Sequence, residues 1–268
     1  MGTEVVLRDS SNCFNPAPSS FDRPFKIIVR DRVFTIDSES LRKMSPIFSA
    51  MLYGKDFENG RELSREIVDE KIGDVEIFLR AIYDSSVINV SNFAVVLRLS
   101  NKYQVDAVVE ACENFVHRQD LDVLKPDEIL TILIAAYEWH CSREVMVKLI
   151  RRLAAESNAV FTRLKISRYL PAVIYGAVIS TSMNLAHLKE FESMNGHTLR
   201  MERSKIRWRQ DICDKCSAIN TNCASCDECK KTYCKRHVTD ITCPSDHGHK
   251  TMAKLRQNVV DLEWVDKK

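Results

Sequence analysis

Glycine and proline are scarce in this chain, with seven of each among 268 residues. Long flexible linkers inside the folded parts are therefore not expected. Net charge is also nearly absent: 39 basic side chains oppose 37 acidic ones, a formal balance of +2. No global field of that size marks a nucleic-acid binder or a ligand of anionic membranes. No apolar run approaches the roughly 20 residues needed to cross a bilayer. The opening MGTEVVLRDSSNCF has no basic stretch followed by an apolar one, so no secretory signal is expected. Val6 stands where N-myristoylation needs Ser or Thr. No Walker loop, Gly-x-Gly-x-x-Gly, Gly-x-Ser-x-Gly or His-Glu-x-x-His occurs, which points away from an enzyme. What remains is an ordinary globular composition, 28% charged and 45% hydrophobic, long enough for one to three compact units.

Cysteine, by contrast, is present and concentrated. Seven of the ten cysteines and three of the seven histidines lie between Cys213 and His249. Cys213 and Cys216 form one Cys-x-x-Cys knuckle, and Cys226 and Cys229 a second. Cys234 and His237 form a Cys-x-x-His pair, and His247 and His249 a His-x-His pair. A two-residue gap lets a tight turn aim both side chains at one metal, and zinc takes four such ligands in a tetrahedron. Four pairs thus supply two zinc ions. A disulfide cluster would need an oxidising compartment, and a redox Cys-x-x-Cys would follow a strand in a βαβ unit. Neither context is visible. Asp227, Glu228 and Asp246 read as solvated turn residues, so the site is expected to be structural and not catalytic. Metal binding would then supply folding energy that so small a segment cannot draw from a core.

The pattern resembles the B-box family of zinc modules. That resemblance implies a cross-brace, in which the first and third pairs hold one ion and the second and fourth the other. Cys213, Cys216, Cys234 and His237 would bind the first; Cys226, Cys229, His247 and His249 would bind the second. Tyr233, just before Cys234, also fits. Cys223 and Cys243 are left over as alternate ligands, and Cys243 could pair with His247. A related stress-response zinc finger shares a similar core and ends in His-x-Cys.

The middle of the chain reads differently. Residues 1–20, rich in Ser, Asn and Pro, lack periodicity and are expected to be a disordered tail. FKIIVRDRVFTID reads as two strands about an Arg30-Asp31 turn. A helix follows, with Ser38 or Ser40 as N-cap and Pro46 able to open its SPIFSAML part. ELSREIV reads as a strand. Asp74 is placed to cap a helix striped by Val75, Phe78, Leu79 and Ile82. NFAVVLRLSNKYQV and DAVVEACENFVHR read as two more amphipathic helices, with Cys112 on the buried stripe of the second as a core residue. This order makes an α+β unit of about 100 residues, an ordinary domain size.

SPIFSAML, FLRAIYDSSV and LSNKYQVDAVVEACENFV, in this order and spacing, resemble the BTB/POZ family. The resemblance covers about 21–120 and implies self-association as a homodimer. In many relatives it also implies attachment to a cullin-type ubiquitin-ligase scaffold. The family's cullin contact uses an apolar residue two places before a Glu, in the loop after the SPIF helix. Here Glu58 fits, Asp56 takes the apolar place and Phe57 is adjacent, so Phe57 and Glu58 are the candidate partner-binding residues.

The stretch 121–198 reads as all-helical, with Pro126 at a helix start, and is similar to a short BACK-like extension. The expected remainder is a basic helical connector at 199–210, the zinc module at 211–250 and an amphipathic helix at 251–268 carrying Leu255, Val259, Leu262 and Val265. His140 and His187 read as ordinary isolated histidines. The functional expectation is a non-enzymatic adaptor of the cytoplasm or nucleus that dimerises through its BTB domain. It would link an unidentified client to a cullin-type ligase. The alternatives are an oligomeric scaffold, or a nuclear regulator of the BTB–zinc-finger class. The DNA-reading finger needs Cys-x-x-Cys, about twelve residues with a helix, then His-x-x-x-His. No such unit occurs here, so neither nucleic acid nor membrane is an expected partner.

Overall fold

The computed structural model describes residues 4–6, 24–53, 64–193, 199–200, 210–226, 230–237 and 246–266. The chain forms two compact units, Met1–Leu149 with Trp264–Lys268, and Ile150–Glu263.

The first unit is α+β. Its sheet contains β1 (Glu4–Val6), β2 (Pro24–Val29), β3 (Arg32–Asp37) and, after α1 (Ser38–Met44) and α2 (Pro46–Tyr53), β4 (Ser64–Glu66). The strand order is β1-β3-β2-β4. β2 and β3 form the expected hairpin, with Ile27 opposite Phe34 and Val29 opposite Arg32. Arg30 turns the corner at φ 55°, a left-handed conformation that two-residue hairpin turns require. Phe25, Ile27 and Val29 face inward while Lys26 is exposed, the period of a half-buried strand. The N-terminal expectation is corrected: Glu4–Val6 adds a parallel strand against Val33–Thr35. Short β-branched runs pair readily once an open edge exists, and periodicity over three residues is too brief to see.

The two cap assignments are also corrected. Asp37, and neither Ser38 nor Ser40, caps α1; its carboxylate accepts from the Ser40 N–H at 3.0 Å and the Ser40 hydroxyl at 2.6 Å. Asp74 lies in the first turn of α3 (Ile72–Tyr83), whose N-cap position is Lys71. A carboxylate there still favours the positive end of the helix. Ser45 divides α1 from α2. Its N–H donates to Leu41 O, its hydroxyl accepts from the Phe48 N–H at 3.0 Å, and that hydroxyl donates to Tyr103 O. Phe48 stacks on Tyr103 at 4.9 Å, and Phe78 lies 5.7 Å from the same ring. Burial raises the Tyr103 phenol to about 12.

α4 (Phe93–Lys102) and α5 (Asp106–Arg118) follow, with Phe93, Val96, Leu97, Leu99, Val108, Cys112 and Val116 inside. Burial likewise raises the Cys112 thiol to about 12, which suits a core residue and not a nucleophile. Glu70, 4% exposed, accepts a two-pronged contact from Arg98 at 2.9 and 2.7 Å and a bond from Lys102 at 2.7 Å. The Arg98 guanidinium holds this carboxyl below its ordinary value, against the opposing effect of burial. α6 (Pro126–Glu138) opens with Pro126 at its first turn. α7 (Arg143–Ala154) contributes Val145, Met146 and Leu149 to this unit's core. Lys148 donates to the carbonyls of Val116, His117 and Gln119, at 2.8, 2.8 and 3.1 Å. A cation there satisfies the orphan acceptors that end α5.

The second unit begins inside α7, at Ile150. α8 (Asn158–Leu164) stops at Lys165, which takes φ 51°, and α9 (Ile166–Tyr169) and α10 (Ala172–Ser193) follow. Small strands come next: β5 (Leu199–Arg200), β6 (Asp211–Ile212), β7 (Ile219–Asn220), β8 (Cys223–Cys226) and β9 (Thr232–Cys234). The expected connector helix is therefore corrected at its start, because Leu199 and Arg200 pair in a strand with Cys226 and Ser225. The C-terminal helix is corrected as well. α11 runs Asp246–Gln257, and residues 258–266 are not helical. Val259 and Leu262 are buried in non-helical chain, and Val265 is 89% exposed. The apolar spacing of this segment fits a helix equally well, and periodicity alone does not separate the two. Among the described residues, no helix is long and apolar enough to cross a membrane.

Candidate metal centre

The centre is built on two hairpins. β6 and β7 pair antiparallel, with Ile212 opposite Ile219. The chain between them turns back on itself at Cys213. The Cys213 N–H donates to Ala218 O at 3.0 Å, the Ser217 N–H donates to Cys213 O at 2.7 Å, and Ser217 takes φ 54°. This knuckle places Cys213 and Cys216 together. β8 and β9 form the second hairpin and carry Cys234 at its end, opposite Cys223. The His237 N–H donates to Cys234 O at 2.9 Å, a turn that returns the imidazole to the Cys234 sulfur. Asp214 ties the hairpins together. Its N–H donates to Thr232 O at 2.8 Å, and its carboxylate accepts from the Thr232 N–H at 2.5 Å.

The ligand atoms of Cys213, Cys216, Cys234 and His237 all lie within 4.8 Å of one another. His237 Nδ1 is 3.5 Å from Cys213 Sγ and 3.3 Å from Cys234 Sγ. Ligands at zinc–sulfur and zinc–nitrogen bond lengths stand about 3.5–3.8 Å apart along the edges of a tetrahedron. The spacing and the donor set, three sulfurs and one imidazole, fit a metal ion. Cys213 and Cys234 are buried, His237 is partly buried and Cys216 is exposed. Four ligands from the chain close a tetrahedron and leave no open position for chemistry.

The electrostatics point the same way. Burial pushes the Cys213 thiol up, but it is outweighed. The N–H groups of Cys234, Cys216 and Lys215 and the His237 side chain bring it down to about 5. The Ala218 N–H favours the Cys216 thiolate, yet burial and the neighbouring sulfurs of Cys213 and Cys234 raise its pKa. One thiolate thus suppresses the next. A cation among these sulfurs relieves that repulsion.

These four residues are the set assigned above to the first ion of the cross-brace. Cys223, an alternate ligand in the sequence reading, stands outside the cluster. Its thiol donates to Asp211 O at 3.5 Å and Asn220 O at 3.6 Å, and burial first, then the sulfurs of Cys234 and Cys213, raise its pKa. It is a neighbour of the site. For the second set, Cys226 is buried and its backbone is in place. Cys229 and Cys243 lie outside the described residues. The backbones of His247 and His249 lie in α11, and their side chains lie outside the described residues. Phe57 and Glu58, with Asp56, also lie outside them.

The second knuckle named in the sequence repeats the backbone bonding of the first where its residues are described. The Cys226 N–H donates to Lys231 O at 2.8 Å, the Lys230 N–H donates to Cys226 O at 2.9 Å, and Lys230 takes φ 57°. Residue for residue this is the bonding seen from Cys213 to Ala218. Both left-handed positions, Ser217 and Lys230, carry side chains where glycine would have flagged the turn. Asp214, which ties the knuckle to β9, was missed for a similar reason: nothing in its spacing distinguishes it from a solvated turn aspartate.

The comparisons with known proteins bear on the first unit. No curated protein matches the chain. The BTB/POZ domain family matches residues 25–120, the stretch that holds β2 to α5. The chain carries a BTB/POZ domain, and beyond it a Cys3His cluster able to hold a metal ion.

Proposed function

We propose that this chain is a non-enzymatic interaction adaptor that dimerises through its BTB/POZ domain and uses structural zinc to hold a client-binding module. The observation that carries this reading is the BTB/POZ domain at residues 25–120, a module that serves protein interaction, in one chain with the Cys3His cluster. Zinc is the metal of choice for a closed thiolate–imidazole set. The repeated knuckle at Cys226 supports a second ion, held by Cys226, Cys229, His247 and His249. Two closed sites would stabilise a segment whose strands are two to four residues long.

The ligase link is the finer part of the proposal. Phe57 and Glu58 would face a cullin scaffold, with Asp56 weakening the contact because it puts a charge where an apolar side chain belongs. An affinity pull-down of the full chain, read by mass spectrometry, tests it. A cullin co-purifies with the wild type, is lost with Phe57→Ala and is enriched with Asp56→Leu. A truncated apolar anchor typically costs about 2 kcal/mol or more, over tenfold in affinity. If no cullin appears with either the wild type or Asp56→Leu, the chain is a scaffold without a ligase.

A further inference from the structure

The corner between α6 and α7 already holds a peptide outside any helix or strand, and that peptide is the chain's own Trp264-Val265-Asp266. The Trp264 indole N–H donates to Cys141 O at 2.9 Å. Its ring lies 5.7 Å from Tyr137 and 5.6 Å from His140, tilted against both. The Asp266 carboxylate accepts from the Arg143 N–H at 2.6 Å. Val265, between them, is 89% exposed. The two side chains that alternate with it make the contacts.

The receptor side is built by the turn. The Trp139 N–H donates to Ala135 O and the Cys141 N–H to Ala136 O, closing α6. His140 takes φ 51° to allow this. That turn leaves Cys141 O directed at the indole. At the start of α7, the Ser142 N–H is taken by Glu113 at 2.6 Å, which leaves the Arg143 N–H for a second carboxylate. First-turn N–H groups have no partner within their own helix, and the helix dipole favours an anion there. The corner thus reads two features two residues apart: a flat donor ring against Tyr137 and His140, and a carboxylate at Arg143.

The grip is shallow. Asp266 is exposed and Trp264 only part-buried, and neither takes part in a strand ladder. A segment held by one ring and one carboxylate can exchange with another of the same chemistry.

We propose that this corner is a docking site for a partner peptide of aromatic-x-acidic sequence, occupied in cis by residues 264–266. It gives the adaptor a client-type site. It is measured by direct peptide binding with no cullin present, so it stands or falls separately from the ligase link. A tethered segment competes at a millimolar effective concentration. For a peptide whose intrinsic dissociation constant is about 100 µM, that competition weakens binding about tenfold.

The test is fluorescence anisotropy with a labelled LEWVDK peptide on the purified full-length chain. Trp264→Ala with Asp266→Ala should bind it about tenfold more tightly than the wild type, because the tethered competitor is gone. Adding Tyr137→Ala, or replacing the peptide's Trp or Asp by Ala, should abolish the gain. Asp266→Ala alone, an exposed substitution, should still raise affinity, which keeps the test decisive if the double variant fails to fold. Equal binding by wild type and Asp266→Ala, or equal binding of the Ala-substituted peptides, overturns the proposal.

Discussion

Among the described residues of the first unit, Glu70 is a buried charge bonded to two cations. It is nearly inaccessible, while Arg98 and Lys102 keep 35% and 39% of their side chains in solvent. Loss of one partner of a fully buried pair is strongly destabilising, but solvent screens these two cations. Glu70→Gln should therefore cost about 1–2 kcal/mol at neutral pH. The Arg98 contact lowers the folded pKa below the ordinary value of 4.5. The contribution is then fully present above that value and fades as pH falls through the folded pKa. Urea unfolding of wild type and variant at pH 7 and below pH 4 should show the gap shrinking with acid. A gap that stays constant would mean that Glu70 acts through shape and not charge. Glu70 was not singled out from sequence, because its partners lie 28 and 32 residues away.

Elements with a strong period were legible, and elements set by a single contact were not. The hairpin Pro24–Asp37 and the helices Pro46–Tyr53, Phe93–Lys102 and Asp106–Arg118 follow alternation or a 3.6-residue stripe, and the chain forms them. The break at Ser45 depends instead on Tyr103, 58 residues away, whose carbonyl the Ser45 hydroxyl reaches while it caps α2. Ser45→Ala leaves both groups unpaired in a buried place and should cost about 1–3 kcal/mol, read as a lower urea midpoint. No change would place the break in Pro46 alone. The knuckles are likewise local devices that the Cys-x-x-Cys spacing revealed, while their left-handed Ser217 and Lys230 gave no sign. If each knuckle serves its own ion, Cys213→Ser and Cys226→Ser should each remove about one zinc per chain, the content of one four-ligand site. Metal analysis showing both ions lost with either variant would make the sites a single cooperative unit.

At the scale of the molecule, the order and spacing of motifs pointed to a BTB/POZ domain joined to a metal module. The α+β class and the BTB/POZ domain were readable because several motifs agreed in order over about 100 residues, an ordinary domain size. The parallel strand at Glu4–Val6, the strand at Leu199–Arg200 and the non-helical course of residues 258–266 were not readable. Each is fixed by what it packs on and not by its own period. The proposed function requires a zinc-loaded, self-associating chain. Native mass spectrometry of the full-length protein, purified without chelator, measures both properties at once. It should show a dimer carrying about two zinc ions per chain, since each closed site takes four ligands. A monomer at all accessible concentrations, or a chain free of zinc, would contradict it.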